Sequence, residues 1–235
     1  KIENSEVRNL QITGNDIEYN HDVGAELSAD VFIDSRNGTV RELTIASNTI
    51  QAKLSPQGAN VRIWGVRDDD LSRAAGLCAI SGNVLQSQAV NLELRDCRGV
   101  VVAGNSFATA YERSLVVDHC RHVNIGTNTF DYNPDYGGDR VDGVVVRGSD
   151  GVILSNLILE ASRAGSAASG AAIEVRDSRR ITISDCQILD SDHRGIELQD
   201  VDQTQVANCS VIDRRSPPRM RQAIRAGGLG KHVMI

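Results

Sequence analysis

Glu174 and Glu197 stand 23 residues apart, the same interval that separates Cys97 from Cys120 and Cys186 from Cys209. If that interval is one coil of a repeat, the two carboxylates lie side by side with about 4.8 Å between their backbones. Like charges so close disfavour double ionisation and raise one pKa, as acid–base catalysis or metal binding requires. Carboxyl groups about 5–5.5 Å apart suit retaining cleavage of a glycosidic bond, and a wider gap suits inverting cleavage. Arg147 and Arg176 fall two residues beyond the same column, where they would neutralise such a pair as a solvated charge ladder.

A second constellation lies in DYNPDYGGDRVD. Asp131, Asn133, Asp135, Asp139 and Asp142 occupy positions 1, 3, 5, 9 and 12 of a calcium-loop pattern, with Tyr136 where that pattern has Gly. Five oxygen ligands in so short a stretch favour Ca2+ over zinc or copper. Tyr19, Tyr111, Tyr132 and Tyr136 can pack on sugar rings while their hydroxyls hydrogen-bond. Arg113, Arg140, Arg163 and Arg194 supply forks suited to carboxylates or sulfates. His193 is the histidine with other candidate groups beside it. His21, His119, His122 and His232 read as solvated residues of turns or of the chain end. Five cysteines without a CxxC pair give no zinc motif, and stacked thiols at equal spacing read as free packing groups.

The elements that position these groups follow from a repeat. Φ-x-x-Asn-x-Φ recurs as Ile12/Asn15/Ile17, Ile45/Asn48/Ile50, Ile80/Asn83/Leu85, Val102/Asn105/Phe107, Ile125/Asn128/Phe130 and Ile153/Asn156/Ile158. Cys takes the Asn place at Cys186 and Cys209. An alternating apolar pair precedes seven of these copies: Val31/Ile33, Val61/Ile63, Leu92/Leu94, Leu115/Val117, Val144/Val146, Ile173/Val175 and Ile196/Leu198. From Leu94 onward the interval to the Asn or Cys position is 10 or 11 residues. Each copy holds three short period-2 segments that cannot bury an apolar face alone but can when stacked. Asn suits the sharp turn because it tolerates left-handed backbone and can bond the next Asn in the stack.

These residues resemble the right-handed parallel β-helix family, whose Asn ladders occupy the turn between second and third strands. The resemblance implies an all-β chain of about eight coils with three strands each and an Asn/Cys ladder at the second turn. Residues 1–235 would form a single domain. The chain starts within a coil and stops three residues before the next expected Asn, which reads as a segment of a longer chain. Copies joined end-to-end or laterally as a homo-oligomer are the rival explanation. Residues 66–77 are expected to hold a helical turn capped by Asp69 or Asp70 and ended by Gly76.

The family includes pectate lyases, polygalacturonases, alginate lyases and related epimerases, but their narrower motifs are absent. The resemblance therefore implies a secreted, periplasmic or cell-surface protein that processes an acidic polysaccharide in a groove along the first-strand face. In a lyase, Ca2+ or arginine would neutralise a uronate while Tyr132, His193 or an Arg moved the proton. In a hydrolase, Glu174 and Glu197 would be acid and base. Arg113, Arg140, Arg147, Arg176, Arg194, Tyr111 and Tyr136 would bind the glycan. The alternative is a non-catalytic glycan-binding, surface, phage-tail or accessory module. A net charge of −6 disfavours a broad grip on nucleic acid. No apolar run reaches the roughly 18 residues of a membrane span.

Overall fold

Every strand pairing is parallel, and each strand pairs with its equivalent in the next repeat. The computed structural model describes residues 1–20, 27–67, 75–136, 138–228 and 230–235. First strands run from Ile2–Glu3 through Ala29–Asp34 and Ala59–Trp64 to Val144–Arg147, Ile173–Arg176, Arg194–Gln199 and Gln222–Gly227. Second strands include Cys97–Ala103, Arg121–Gly126, Asp150–Ser155 and Arg179–Ser184; third strands include Thr129–Asp131, Ile158–Glu160 and Gln187–Leu189. Among the described residues no helix is long and apolar enough to cross a membrane.

The third corner departs from the expected three separate strands. Val84–Arg95 and Ser106–Asp118 run from the third-strand wall directly into the next first strand, with a register shift between Gln88 and Val90. Left-handed residues Ser87 (φ 63°) and Thr109 (φ 51°) bend these strands in place of a loop. The predicted helical turn of residues 66–77 falls mostly outside the described residues, and Gly76 lies within the strand Ala75–Ser81.

The interior holds the predicted columns. Ile33, Ile63, Leu94, Val117, Val146, Val175 and Leu198 are each 1% exposed or less. Burial of such a side chain contributes roughly 1.5–3 kcal/mol. Phe107 and Phe130 stack in the same column at 4.7 Å between ring centres. At the second turn, the Nδ2 groups of Asn15, Asn48, Asn83 and Asn105 each donate to the Oδ1 of the next Asn at 2.9–3.0 Å, ending on Asn128.

One copy sits a residue away from its predicted register. Gly126 pairs with Ser155 and Thr129 with Ile158, so Leu157, fully buried, occupies the ladder position and Asn156 is an exposed left-handed residue (φ 53°). Ile153 and Ile158 then face outward, while Val152, Leu154 and Leu159 face in. A slip of one exchanges the two faces of a strand, and burying three large aliphatic residues decides the register. With Leu157 in place, the interval from the first strand is 11 residues in this copy too.

A second ladder lines the first turn. The Cys97 N–H faces Cys120 Sγ at 3.4 Å, the Cys120 N–H donates to Ser149 Oγ, and the Ser149 N–H donates to Ser178 Oγ. All five cysteines are free, and the thiols of Cys97, Cys120, Cys186 and Cys209 face carbonyl oxygens of their own and the preceding coil.

Candidate functional site

The first-strand face gathers the predicted glutamate pair with Arg113, Arg176 and Arg194 and closes over it. Glu174 and Glu197 are in register on neighbouring coils, yet each is only 5% exposed. Glu174 accepts from Arg113 Nη2 at 3.1 Å and from Arg176. Glu197 accepts the Gly170 N–H and pairs with Arg225 at 3.2 Å. The segment 165–170 crosses above both. Arg194 holds it by donating to the carbonyls of Ser166, Ala167 and Gly170 at 2.9–3.3 Å, and Arg225 donates to that of Ala168. A Cβ on Gly170 would stand 2.7 Å from the Gly165 backbone, so the segment passes where only glycine fits. The pair is thus buried, ion-paired and covered. Arg194, expected to grip substrate, has its guanidinium committed to backbone carbonyls and Gln222.

The calcium pattern does not form a cage. Asp142 is turned inward, accepting the Ala110 N–H at 2.7 Å and pairing with Arg140, while Asp139 points into solvent. Asn133 Oδ1 takes the Asp135 N–H, and Asp131 Oδ1 takes the Tyr132 N–H. Among the described residues no three His, Cys, Asp or Glu groups are arranged to hold a metal ion. Burial pushes the Asp142 carboxyl up, against the Ala110 and Arg140 hydrogen bonds. Tyr132 is exposed with the Arg140 guanidinium 4.2 Å from its ring centre. Tyr111 packs beside Gly138, and burial followed by the Asp142 charge pushes its hydroxyl up. His193 is half-buried with Nδ1 lacking a partner.

The first-turn side is open instead. A groove of about 810 Å³ runs along the coils there, lined by Arg67, Asp96, Arg98, His119, Arg121, Gly148, Asp150, Asp177, Arg179 and Asp200. Two columns build it. In five successive coils the first strand ends in one left-handed residue that turns the chain: Asp96 (φ 52°), His119 (52°), Gly148 (57°), Asp177 (49°) and Asp200 (53°). Each donates its N–H to the next coil at 2.9–3.2 Å, which fixes the column. Arg98, Arg121, Asp150 and Arg179 follow two residues later and are in register with one another. Cys97, Cys120, Ser149 and Ser178 lie between the columns.

The groove's electrostatics are uneven. Asp118 Oδ2 accepts from Arg147 Nη2 at 2.9 Å, and its Oδ1 lies 2.6 Å from His119 Nδ1. That second contact is not a hydrogen bond. Burial pushes the Asp118 carboxyl up, but Arg147, His119 and Arg95 outweigh it and hold it below the usual carboxylate range. One coil away the balance reverses. Burial, helped by the Asp118 charge, pushes Asp96 above its usual range against His119, Arg95 and Arg67. Asp96 Oδ1 and Asp150 Oδ1 are buried without a hydrogen-bond partner. The guanidinium of half-buried Arg98 makes no hydrogen bond or ion pair to a described residue, whereas that of Arg179 is bound to Asp150. The pattern of residue types could not reveal this groove, because its first column shares a backbone conformation rather than a side chain.

Residues 138–218 match the family model described as a right handed beta helix region. The chain is a right-handed parallel β-helix. No curated protein matches it by sequence. Among solved structures, tailspike protein 2 from Escherichia coli O157:H7 bacteriophage CAB120 superposes with a TM-score of 0.60 at 10% identity, over 85% of this chain and 30% of the tailspike. The β-helix described here therefore spans less than a third of that protein's length. The Azotobacter vinelandii mannuronan C-5 epimerase AlgE6 A-module gives a TM-score of 0.38 at 12% identity, over 93% of this chain and 71% of the module. PfbA, a surface adhesin of Streptococcus pneumoniae, gives 0.36 at 10% identity, over 95% and 73%. At 10% identity the likeness to the tailspike is one of fold.

Proposed function

We propose that this β-helix acts on an acidic polysaccharide held along the first-turn groove, with His119 as proton acceptor and Asp96 as proton donor. The observation that carries the reading is the pairing, one coil apart, of a carboxyl biased towards its protonated form with an imidazole beside a carboxylate of depressed pKa. The Asp96 and Asp118 carboxyls are pushed in opposite directions, which leaves Asp96 the readier to hold a proton while Asp118 stays ionised beside the imidazole. Arg98 stands two residues beyond Asp96, available to a carboxylate or sulfate. Coils spaced by about 4.8 Å present such groups at intervals close to the rise per sugar of an extended chain.

In a lyase-type cleavage, His119 takes the proton from the carbon next to the uronate carboxylate. The bond from the adjacent carbon to the glycosidic oxygen breaks, Asp96 gives its proton to that oxygen, and a carbon–carbon double bond remains in one product. A tail or surface setting, as the tailspike neighbour's name indicates, fits this reading. The test is a panel of uronate polysaccharides assayed for unsaturated products with wild type, His119→Ala, Asp96→Asn and Arg98→Ala. Loss of a positioned acid or base is expected to lower the rate about 10²–10⁴-fold. Binding that Arg98→Ala abolishes, without product from wild type, would convert the reading to a non-catalytic glycan module. Neither binding nor product overturns it.

A further inference from the structure

The third-turn side carries a second feature that the groove does not explain. The chain has only eight aromatic residues, and Tyr19, Tyr132 and Tyr136 are 56%, 45% and 38% exposed. A tyrosine ring carries 150–250 Å² that burial would favour, so exposing three is costly in a chain so poor in rings. They surround one hydrogen-bonded chain of side-chain amides. Asn133 Nδ2 donates to Gln86 Oε1 at 3.1 Å, Gln86 Nε2 to Gln51 Oε1 at 2.7 Å, and Gln51 Nε2 to the Tyr136 hydroxyl at 2.5 Å. Tyr19 joins the same patch by donating its N–H to the Gln51 carbonyl at 3.2 Å.

This network fixes the segment 131–136 against the third-strand wall, where Gln51 and Gln86 are in register. It also sets the rings. The hydroxyl of Tyr136 is held by Gln51, and Arg140 covers one face of Tyr132, leaving the rest of that ring to solvent. Each primary amide has two N–H donors and two acceptor positions. Gln86 and Asn133, both half-buried, spend one N–H and one acceptor position each within the chain and retain the others.

We infer that this tyrosine–amide platform is a saccharide-binding surface, separate from the first-turn groove, that takes the uncharged face of a pyranose chain. Sugar C–H faces would pack on Tyr132 and Tyr136, and hydroxyls would bond the remaining amide positions of Gln86 and Asn133. Recognition of this kind does not depend on charge in the ligand, so the platform would bind neutral glycans that the arginine-lined groove has no means to select.

The test is calorimetric titration with cellohexaose, mannohexaose and chitohexaose, at low and high salt. Wild type should bind at least one with an affinity that salt leaves unchanged. Tyr132→Ala and Tyr136→Ala should each bind about tenfold more weakly, the loss of one ring–sugar contact. Tyr132→Ala should leave the melting temperature unchanged, and Tyr136→Phe keeps the ring while removing the Gln51 bond, so folding and binding are read separately. His119→Ala and Arg98→Ala should bind the neutral sugars as wild type does, which separates this surface from the groove. Binding to none of the three sugars, or full binding by both alanine variants, overturns the inference.

Discussion

Replacing Asn105 by Ala should break the second-turn ladder at its centre. The side chain is 3% exposed and its Nδ2 donates to the carbonyls of Ile80 and Ala103 and to Asn128 Oδ1 at 3.0–3.2 Å. Its Oδ1 accepts both the Asn83 N–H and Asn83 Nδ2 at 2.9–3.0 Å. Ala would strand the Asn83 backbone N–H and one of the two Nδ2 N–H bonds of Asn83, which is itself 1% exposed, while the other stays on the Ile45 carbonyl at 2.9 Å. Each buried group so stranded costs roughly 1–3 kcal/mol, so the pair predicts about 2–6 kcal/mol. That is a large fraction of a stability that for most domains is roughly 5–15 kcal/mol.

Asn105→Cys should cost less, because the Cys186 thiol already faces Leu154 and Ser184 carbonyls in the equivalent position at 3.8 and 3.2 Å. A thiol remains a weak acceptor for Asn83, so part of the loss should persist. Asn156→Gly should be close to neutral, since Asn156 is exposed and left-handed and glycine accepts that conformation freely. Urea titration followed by circular dichroism reads all three as shifts in midpoint at constant slope. A cost below about 1 kcal/mol for Asn105→Ala would refute the stranded-donor reasoning. A large cost for Asn156→Gly would refute the register.

Gly148→Ala places a Cβ 2.7 Å from Cδ2 and Nε2 of His119 at a φ of 57°. It should lose about 1–2 kcal/mol of stability and displace the imidazole, so glycan cleavage should fall as it does in His119→Ala. Asp96→Asn should raise the melting temperature at neutral pH, because the raised folded pKa means that the ionised carboxylate opposes folding. That gain should vanish below the unfolded carboxyl pKa of about 3.9, where both states are protonated. Burial pushes the Cys78 and Cys186 thiols up to about 12, so both should resist a thiol reagent at neutral pH until the chain unfolds. Half-buried Cys209 should label first, and mass spectrometry of timed samples gives the order.

The fold was legible because a coil repeats one decision. Ile63, Leu94 and Val117 must face inward together, and the alternation beside each fixes the strand. The misplaced copy shows the limit. Ile153/Asn156/Ile158 satisfies the same spacing as its neighbours, and only the burial of Leu154, Leu157 and Leu159 selects the other face. The candidate sites were less legible for two reasons. Spacing placed Glu174 beside Glu197 correctly, but the segment that covers them is held by Arg194, a contact between residues 24–28 positions apart. Asp96 and His119 share a turn geometry that different side chains can adopt, so no residue pattern marked the groove. A column of left-handed residues at the ends of successive first strands, four of the five not glycine, is the signal that does.

The two corners that the chain passes without a loop, within Val84–Arg95 and Ser106–Asp118, set where this molecule can change. A backbone hydrogen-bonded across such a bend offers no free peptide to lengthen and no exposed tip for a protease to grip. Inserted sequence can enter only where a corner is already a loop, as at 132–136 or 161–172. The central coils therefore act as a fixed spine, and novelty in such a chain has to be hung from its flanks.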